Sequence, residues 1–416
     1  MQSFVGMVWA LVAGGLLLGA AASAPPSETP PPPESANSSD EGQGGASVAG
    51  QQPALDRRGV DAIGVPLLSY NSDLGWGIGL VGGAYLYAPG YDPYRHALAA
   101  QVFVTTEGVR NHWVRYDGPS LLGELRLEAR AEYRRELFAP FYGAGNLAGP
   151  GADIRTNARA WSYDSLYPGG WLRLRAQPFG GEPSLEVYAG YGFHHVRIVR
   201  YSGSALAELS PLGVRGGAHG QVLLGALWDT RDHEMDPTAG GLDEIAFRFS
   251  AAPTGSRYEY VGVTATVRRY WSLGSPRLIL AQRVMADVLS GDAPFFEWTQ
   301  FGGTAGGEGI GGMSSVRGVP RNRYQGTAKV VSNSELRFYV WDFPLLGEAL
   351  KIGGVAFVDL GRVWHPGVDD GSLLRWHPGL GAGLRLARRA AVVRFDFAVS
   401  PELWRTGLYV TFGHLF

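Results

Sequence analysis

The densest group of residues able to bind a metal or carry a proton is Asp229, Asp232, His233 and Asp236. Carboxylate oxygens and an imidazole can hold a divalent ion, and a His–Asp pair can move a proton. These four lie where an apolar run gives way to Pro237 and Gly240, and aspartate is common in such places because it builds turns. No metal and no cofactor are therefore expected. His194 and His195 are adjacent, so on a strand they point to opposite faces and cannot serve one site. No Gly-x-Ser-x-Gly elbow is present. The glycine-rich run from Gly302 to Gly312 could suggest a phosphate cradle, but the strand–loop–helix setting of such cradles is missing. The chain has no cysteine, which excludes disulfides and thiolate metal sites. Its formal charge of −2 gives no basic face for nucleic acid. The expectation is a protein that is not an enzyme.

The charged residues instead alternate. Glu124, Arg126, Glu128, Arg130, Glu132 and Arg134 share one parity, while Leu125, Leu127, Ala129, Ala131 and Tyr133 share the other. A helix would scatter six charges around its circumference, but a strand puts them on one face. Opposite signs at successive positions suit a wall facing water, where neighbours pair. Lys329, Asn333, Glu335 and Arg337 oppose Val330, Leu336, Phe338 and Val340 in the same way, and Arg394 and Asp396 oppose Val393, Phe395, Phe397 and Val399.

The pattern runs from residue 59 to residue 416, broken by Gly, Pro, Asp and Asn clusters. It predicts strands near 60–69, 74–88, 96–106, 110–118, 123–135, 157–176, 183–200, 220–230, 242–252, 257–270, 277–290, 328–341, 350–364, 374–387, 390–400 and 405–416. Sixteen is an even number, as bacterial single-chain barrels require. The fold class is all-β: a 16-stranded antiparallel transmembrane β-barrel. The longest connections, 136–156, 201–219 and 291–327, all follow odd-numbered strands, so with periplasmic termini all three are extracellular. Trp76, Tyr85, Tyr87, Trp341, Trp364 and Trp404 lie near strand ends and suit the aromatic girdles. A soluble β-sandwich also alternates, but a run of this length would divide into domains.

Residues 1–24 contain the apolar run Phe4 to Leu18 followed by small residues, which reads as a secretory signal peptide cleaved after Ala22. An uncleaved helical anchor is the alternative. Residues 25–58 are rich in Pro, Ser, Glu and Gly and form a disordered linker. Residues 59–416 are the barrel. After Ala24 no stretch is apolar for long enough to span as a helix, so a body that enters a membrane must close as a barrel. The expected location is the bacterial outer membrane.

Several segments resemble the BamA/TamA superfamily of outer-membrane assembly and translocation proteins, also called the bacterial surface antigen family. Ser315-Val316-Arg317-Gly318 is similar to the family's Val-Arg-Gly loop motif, with Val319 in place of its aromatic. Gly354 to Gly361 resembles the Phe-x-Asp-x-Gly strand, and Asn333 to Phe338 the Asn-x-Glu-Leu-Arg strand. Trp228 to Asp232 with Pro237 to Gly240 resembles the Asp-Thr-Arg-Asp…Pro-Thr-x-Gly turn, and Phe141 to Asn146 a loop signature. The end of the chain, with Leu408, Val410, Phe412 and Phe416 on one parity, resembles the C-terminal signal of outer-membrane barrels; His414 departs from it.

The resemblance implies that loop 291–327 folds into the lumen. Parity puts Glu335 and Asp359 on the lumen side of adjacent strands, so Arg317, in the motif with Gly318, could bridge them as a loop latch. A guanidinium offers bidentate bonds that lysine cannot. In a partly screened lumen such a latch is worth ~1–3 kcal/mol. The family's weak seam between first and last strands would correspond to Gly64 and Pro66 at one edge, where proline removes a ladder donor, and to Gly407 and Gly413 at the other.

The implied function is insertion or translocation of polypeptide at the outer membrane. The expected partners are outer-membrane lipid and unfolded outer-membrane or secreted polypeptide, with no nucleic acid. Relatives that assemble proteins carry POTRA domains, and here only the linker precedes the barrel. A passive pore or secretion channel with a loop plug is the alternative reading, and a barrel hydrolase a third.

Overall fold

In the computed structural model, residues 58–416 are described, apart from 92, 124, 150–154, 180–183, 235, 305, 346–347 and 389–390. The predicted signal peptide and linker lie outside these residues, except for Arg58. Sixteen antiparallel strands close into a barrel. They are β1 (Gly59–Asn71), β2 (Gly75–Tyr87), β3 (His96–Thr105), β4 (Val109–Leu122), β5 (Leu125–Pro140), β6 (Ser162–Ala176), β7 (Ser184–Arg200) and β8 (Gly217–Asp229). The second half comprises β9 (Gly240–Ser250), β10 (Tyr260–Ser275), β11 (Leu278–Gly291), β12 (Ala328–Leu345), β13 (Glu348–Trp364), β14 (His377–Arg388), β15 (Ala391–Ser400) and β16 (Arg405–Phe412).

Closure satisfies the backbone of every interior strand and is what lets a sheet sit in lipid. Among the described residues, no helix is long and apolar enough to cross a membrane. The alternating charges lie inside. Arg126 donates to Asp117 at 2.8 and 2.6 Å, Glu128 is fully buried beneath Arg115 and Arg173, and Glu132 accepts from Arg130 at 2.9 Å. Glu124, predicted to share that face, lies outside the described residues. The outer face carries Leu98, Val102, Val114, Leu172, Phe247, Val288, Leu384 and Phe397, all exposed.

The long connections follow odd-numbered strands. Three close over one mouth, and the fourth, between β11 and β12, enters the lumen. It contains a two-residue hairpin, Gln300–Phe301 paired with Gly307–Glu308, that the glycine-rich sequence did not announce. Its aromatic shoulder, Phe295, Phe296 and Trp298, packs against Phe141, Tyr163 and Tyr258.

Three expectations need correction. Residues 157–161, predicted as strand, belong to a 3-10 turn spanning Arg155–Trp161. Tyr85 and Tyr87 share the inward parity of β2, whereas Trp76, Trp341 and Trp404 do face outward and are exposed. The last strand stops at Phe412. Gly413 turns the chain at φ +81°, and the next three residues run into the lumen. Phe416, predicted to continue the last strand on the same face as Leu408 and Phe412, is instead buried against Tyr270 and Ala281. Arg337 donates to its main-chain oxygen at 2.9 Å, and His414 meets Asp236 at 2.9 Å. These polar contacts give the tail partners inside that the lipid face could not offer.

Candidate functional site

One side chain of the lumenal loop, Arg317, meets three strands of the wall. Val316 is wholly buried in an apolar cluster with Ile310, Tyr324, Val331 and Val363, and this fixes the approach of the next residue. Arg317 then reaches three strands. Its Nε and Nη2 donate to both oxygens of Asp359 on β13 at 2.8 and 3.0 Å. Its Nη1 donates to Glu335 on β12 at 2.8 Å and to Asp396 on β15 at 2.9 Å. Its backbone N–H also donates to Asp359, at 3.1 Å. The guanidinium lies 3.4 Å over the Phe357 ring. Arg317, Glu335, Asp359 and Asp396 are all 0% exposed.

Surrounding groups add further hydrogen bonds to the three carboxylates. Arg337 donates to Glu335 at 2.9 Å, and Arg385 donates to Asp396 at 2.6 Å. Asn333 bridges Asp359 (2.7 Å) and the carbonyl of Ser315 (2.6 Å). Arg283 in turn binds Asn333 and the carbonyl of Ser314. Charges buried this deeply are tolerable only when paired and hydrogen-bonded throughout.

Gly318 makes the bend at φ +88°. A Cβ there would sit 2.7 Å from the carbonyl carbon of Val399 and 2.9 Å from the nitrogen of Ser400, so the loop tip is pressed against β15. The Gly318 N–H donates to the hydroxyl of Tyr409 on β16 at 3.0 Å.

The structure thus brings Arg317, Gly318, Glu335 and Asp359 together. Asp396, Asn333 and Tyr409 complete the cluster and escaped the sequence reading. Asp396 gave a usable signal, since it is an acid of lumen parity on a strand near the C-terminus.

The seam residues are placed differently. β1 pairs with β2 along its whole length, from Gly59↔Tyr87 to Asn71↔Gly75. With β16 it shares only Tyr70↔Val410 and Asn71↔Tyr409, followed by Ser72 N–H donating to Leu408 at 3.1 Å. Gly64 and Pro66 lie on the stretch of β1 below those pairs, where β16 offers no partner. Gly413 marks the point where the chain leaves the wall. Gly407 is not at the gap. It pairs with Ala398, and a Cβ there would meet the Tyr409 hydroxyl at 2.3 Å, so its bareness makes room for the tyrosine whose hydroxyl accepts from Gly318.

Above the lumen, the Phe141–Asn146 segment ties the outer loops together. Asn146 Oδ1 accepts from Val363 N–H (3.2 Å) and faces His377 Nε2 at 2.9 Å, while His377 Nδ1 meets Glu402 at 2.5 Å. Tyr324 of the lumenal loop stacks on His377 with ring centroids 3.4 Å apart. Burial pushes the Glu402 carboxyl up, but the hydrogen bond and charge of His377, aided by Arg375, hold it below the usual carboxylate range.

The aspartates considered first as ligands are used internally. Asp229 binds Arg231, Asp232 caps Thr238 and Ala239, and Asp236 takes His414 and Tyr339. Among the described residues, no three His, Asp or Glu side chains gather to hold a metal ion.

Residues 120–405 match the model of the Omp85 superfamily domain. The chain belongs to the Omp85 superfamily. BamA from Haemophilus ducreyi lacking POTRA domains 1–3 superposes with a TM-score of 0.57 at 16% identity, over 86% of this chain and 70% of that one. CdiB from Escherichia coli gives 0.55 at 15% identity, over 86% of this chain and 64% of that one. CdiB from Acinetobacter baumannii gives 0.51 at 15% identity, over 85% and 60% respectively. No curated protein matches. This Omp85 barrel is a protein of the bacterial outer membrane, related in fold to BamA and CdiB.

Proposed function

We propose that this Omp85 protein handles polypeptide at the outer membrane, and that its working element is the seam between β1 and β16. The observation that carries the reading is the run of β1 below Tyr70 and Asn71 that has no partner on the β16 side. An unpaired strand edge in hydrocarbon is costly, because no water is there to satisfy it. Another strand can satisfy it, and β-augmentation of this kind gives affinity through main-chain bonds alone. Pro66 suits an edge that must not pair permanently, since it offers no donor.

The Arg317 cluster acts as a latch in this scheme. It joins the lumenal loop to β12, β13 and β15 at once and, through Tyr409, to the closing strand itself. The mouth of the barrel thereby holds its shape while the seam yields.

The absence of cysteine permits a clean test. Tyr70→Cys with Val410→Cys would staple the seam at an existing pair. In liposomes, strand insertion should stop when the pair is oxidised and return on reduction. Full insertion by the oxidised protein would contradict the reading. The lumenal loop also favours a plugged channel, because many of its residues, among them Phe301, Ile310, Val316 and Arg317, are buried inside the barrel. Bilayer conductance that rises on deleting residues 292–327, with no insertion activity before or after, would favour that second reading.

A further inference from the structure

The outer wall is not uniformly apolar at its long-loop end. Register alignment runs Arg110↔Arg135 between β4 and β5, Arg135↔Leu166 between β5 and β6, and Leu166↔Arg197 between β6 and β7. All four positions have outward parity. Val114 and Val104 flank Arg110 on the same face, Tyr133 lies next to Arg135 on its face, and Phe193 and Val199 bracket Arg197; all are exposed. Three arginines therefore stand in one rung, spanning roughly 14 Å at ~4.8 Å per strand. His195 lies one rung below and is exposed, and Arg159 and Arg200 are exposed just above.

Like charges placed directly opposite on a sheet repel, so this rung costs free energy unless an anion covers it. Only Arg135 has an internal partner, a bidentate pair with Asp164 at 2.7 and 3.2 Å. Arg110 and Arg197 have no acidic partner among the described residues. At the matching end of β9, β10, β11 and β14 the outward positions are Phe249, Val261, Val288 and Leu380, all exposed and apolar.

The height of the rung says what would meet it. Long loops of such barrels face outside, which places the rung toward the outer leaflet. From Arg110 to Leu122, where β4 ends at its short-turn side, the chain runs twelve residues, ~40 Å along the strand and roughly 30 Å along the membrane normal at the usual tilt. That exceeds an apolar band about 25 Å tall, so the arginines reach its upper border, the level of lipid headgroups. Guanidinium groups bind phosphate bidentately.

The geometry points to a site on the outer face of β4 to β7 for the phosphate groups of an anionic outer-leaflet lipid. It is independent of the seam and of the lumenal loop. The site fixes which side of the barrel faces ordered, phosphate-rich lipid, leaving the rest of the circumference free of it.

The test is native mass spectrometry of the full chain in neutral detergent, titrated with diphosphoryl lipid A and with its fully dephosphorylated form. One arginine at an anionic lipid surface contributes about a factor of five. Arg110→Gln with Arg197→Gln should therefore weaken binding of the diphosphoryl lipid about 25-fold and leave the dephosphorylated lipid unaffected. Arg110→Lys with Arg197→Lys should retain most of the binding, which keeps the proposal testable if the glutamine variant folds poorly. Arg277→Gln, in a short turn at the other end, is the control and should change nothing. Equal binding by the glutamine variant, or an equal loss in the control, would overturn the site. Displacement of the lipid by millimolar inorganic phosphate would overturn the assignment to a lipid headgroup.

Discussion

Two neighbouring parts of the barrel are built to opposite specifications. From β12 to β15 the strands pair without a gap apart from one bulge, and three carboxylates inside them converge on Arg317 with no exposure to solvent. Between β1 and β16 two ladder pairs, with the Ser72–Leu408 hydrogen bonds just beyond them, join the walls, and the last residues of the chain turn away into the lumen. The difference teaches where the fold spends its polar interactions. The buried charges gather where the loop meets β12, β13 and β15, while the β1–β16 contact consists of two ladder pairs and the Ser72–Leu408 bonds. Tyr409 belongs to both parts, since it lies on β16 yet holds Gly318 of the loop.

That contrast can be broken most severely at its centre. Arg317→Ala leaves Glu335, Asp359 and Asp396 buried without their shared cation, a change that costs about 3–5 kcal/mol. The expected result is a large fall in the thermal midpoint and rapid protease cleavage of the 302–312 segment. Arg317→Lys should recover only part of this, because an ammonium cannot bridge Asp359 bidentately. Gly318→Ala should cost ~2 kcal/mol, from the positive φ and the contact with Val399, read as a lower thermal midpoint. Tyr409→Phe removes only the hydroxyl and strands one buried N–H, for about 1–2 kcal/mol. Its distinctive readout is greater protease sensitivity of the loop with the barrel still heat-modifiable on gels.

Acid provides a gentler probe of the outer cap. The Glu402 carboxyl is held below its usual range by His377 and Arg375, so its contribution is complete above the unfolded value near ~4.3. It is lost as pH falls through the lowered folded value. Loop cleavage should therefore be flat from pH 7 to about 5 and rise below about pH 4. Glu402→Gln should show that elevated cleavage already at neutral pH. The smallest effect belongs to the exposed pair Arg277–Asp342, at 2.6 Å with side chains 52% and 38% exposed. Arg277→Ala should change stability by less than about 0.5 kcal/mol.

The strands were legible because a sheet with one face in lipid and one in water writes its period into the sequence. Glu335 and Asp359 could be placed on one wall by parity alone. Asp396 could have been placed there too, but nothing in its own strand linked it to a loop 79 residues earlier. The tail misled the parity count for a physical reason. Counting in twos assumes continuous extended backbone, and Gly413 at φ +81° ends it. Phe416 then finds Tyr270 and two guanidinium groups inside instead of lipid outside. The Gly302–Gly312 run was opaque because its short hairpin is set by contacts with the barrel wall, such as Gly302 N–H to Thr264 at 2.9 Å, and not by local preference.

On this reading of the barrel, the β1–β16 seam is the weak place in an otherwise strongly paired wall. Amide hydrogen exchange of the full chain in lipid nanodiscs tests it directly, comparing the peptide covering residues 59–69 with the one covering 351–363. The expected result is a fast-exchanging set of amides in the first, namely those of β1 that face β16, and slow exchange throughout the second. Equal, slow protection of both peptides would contradict it.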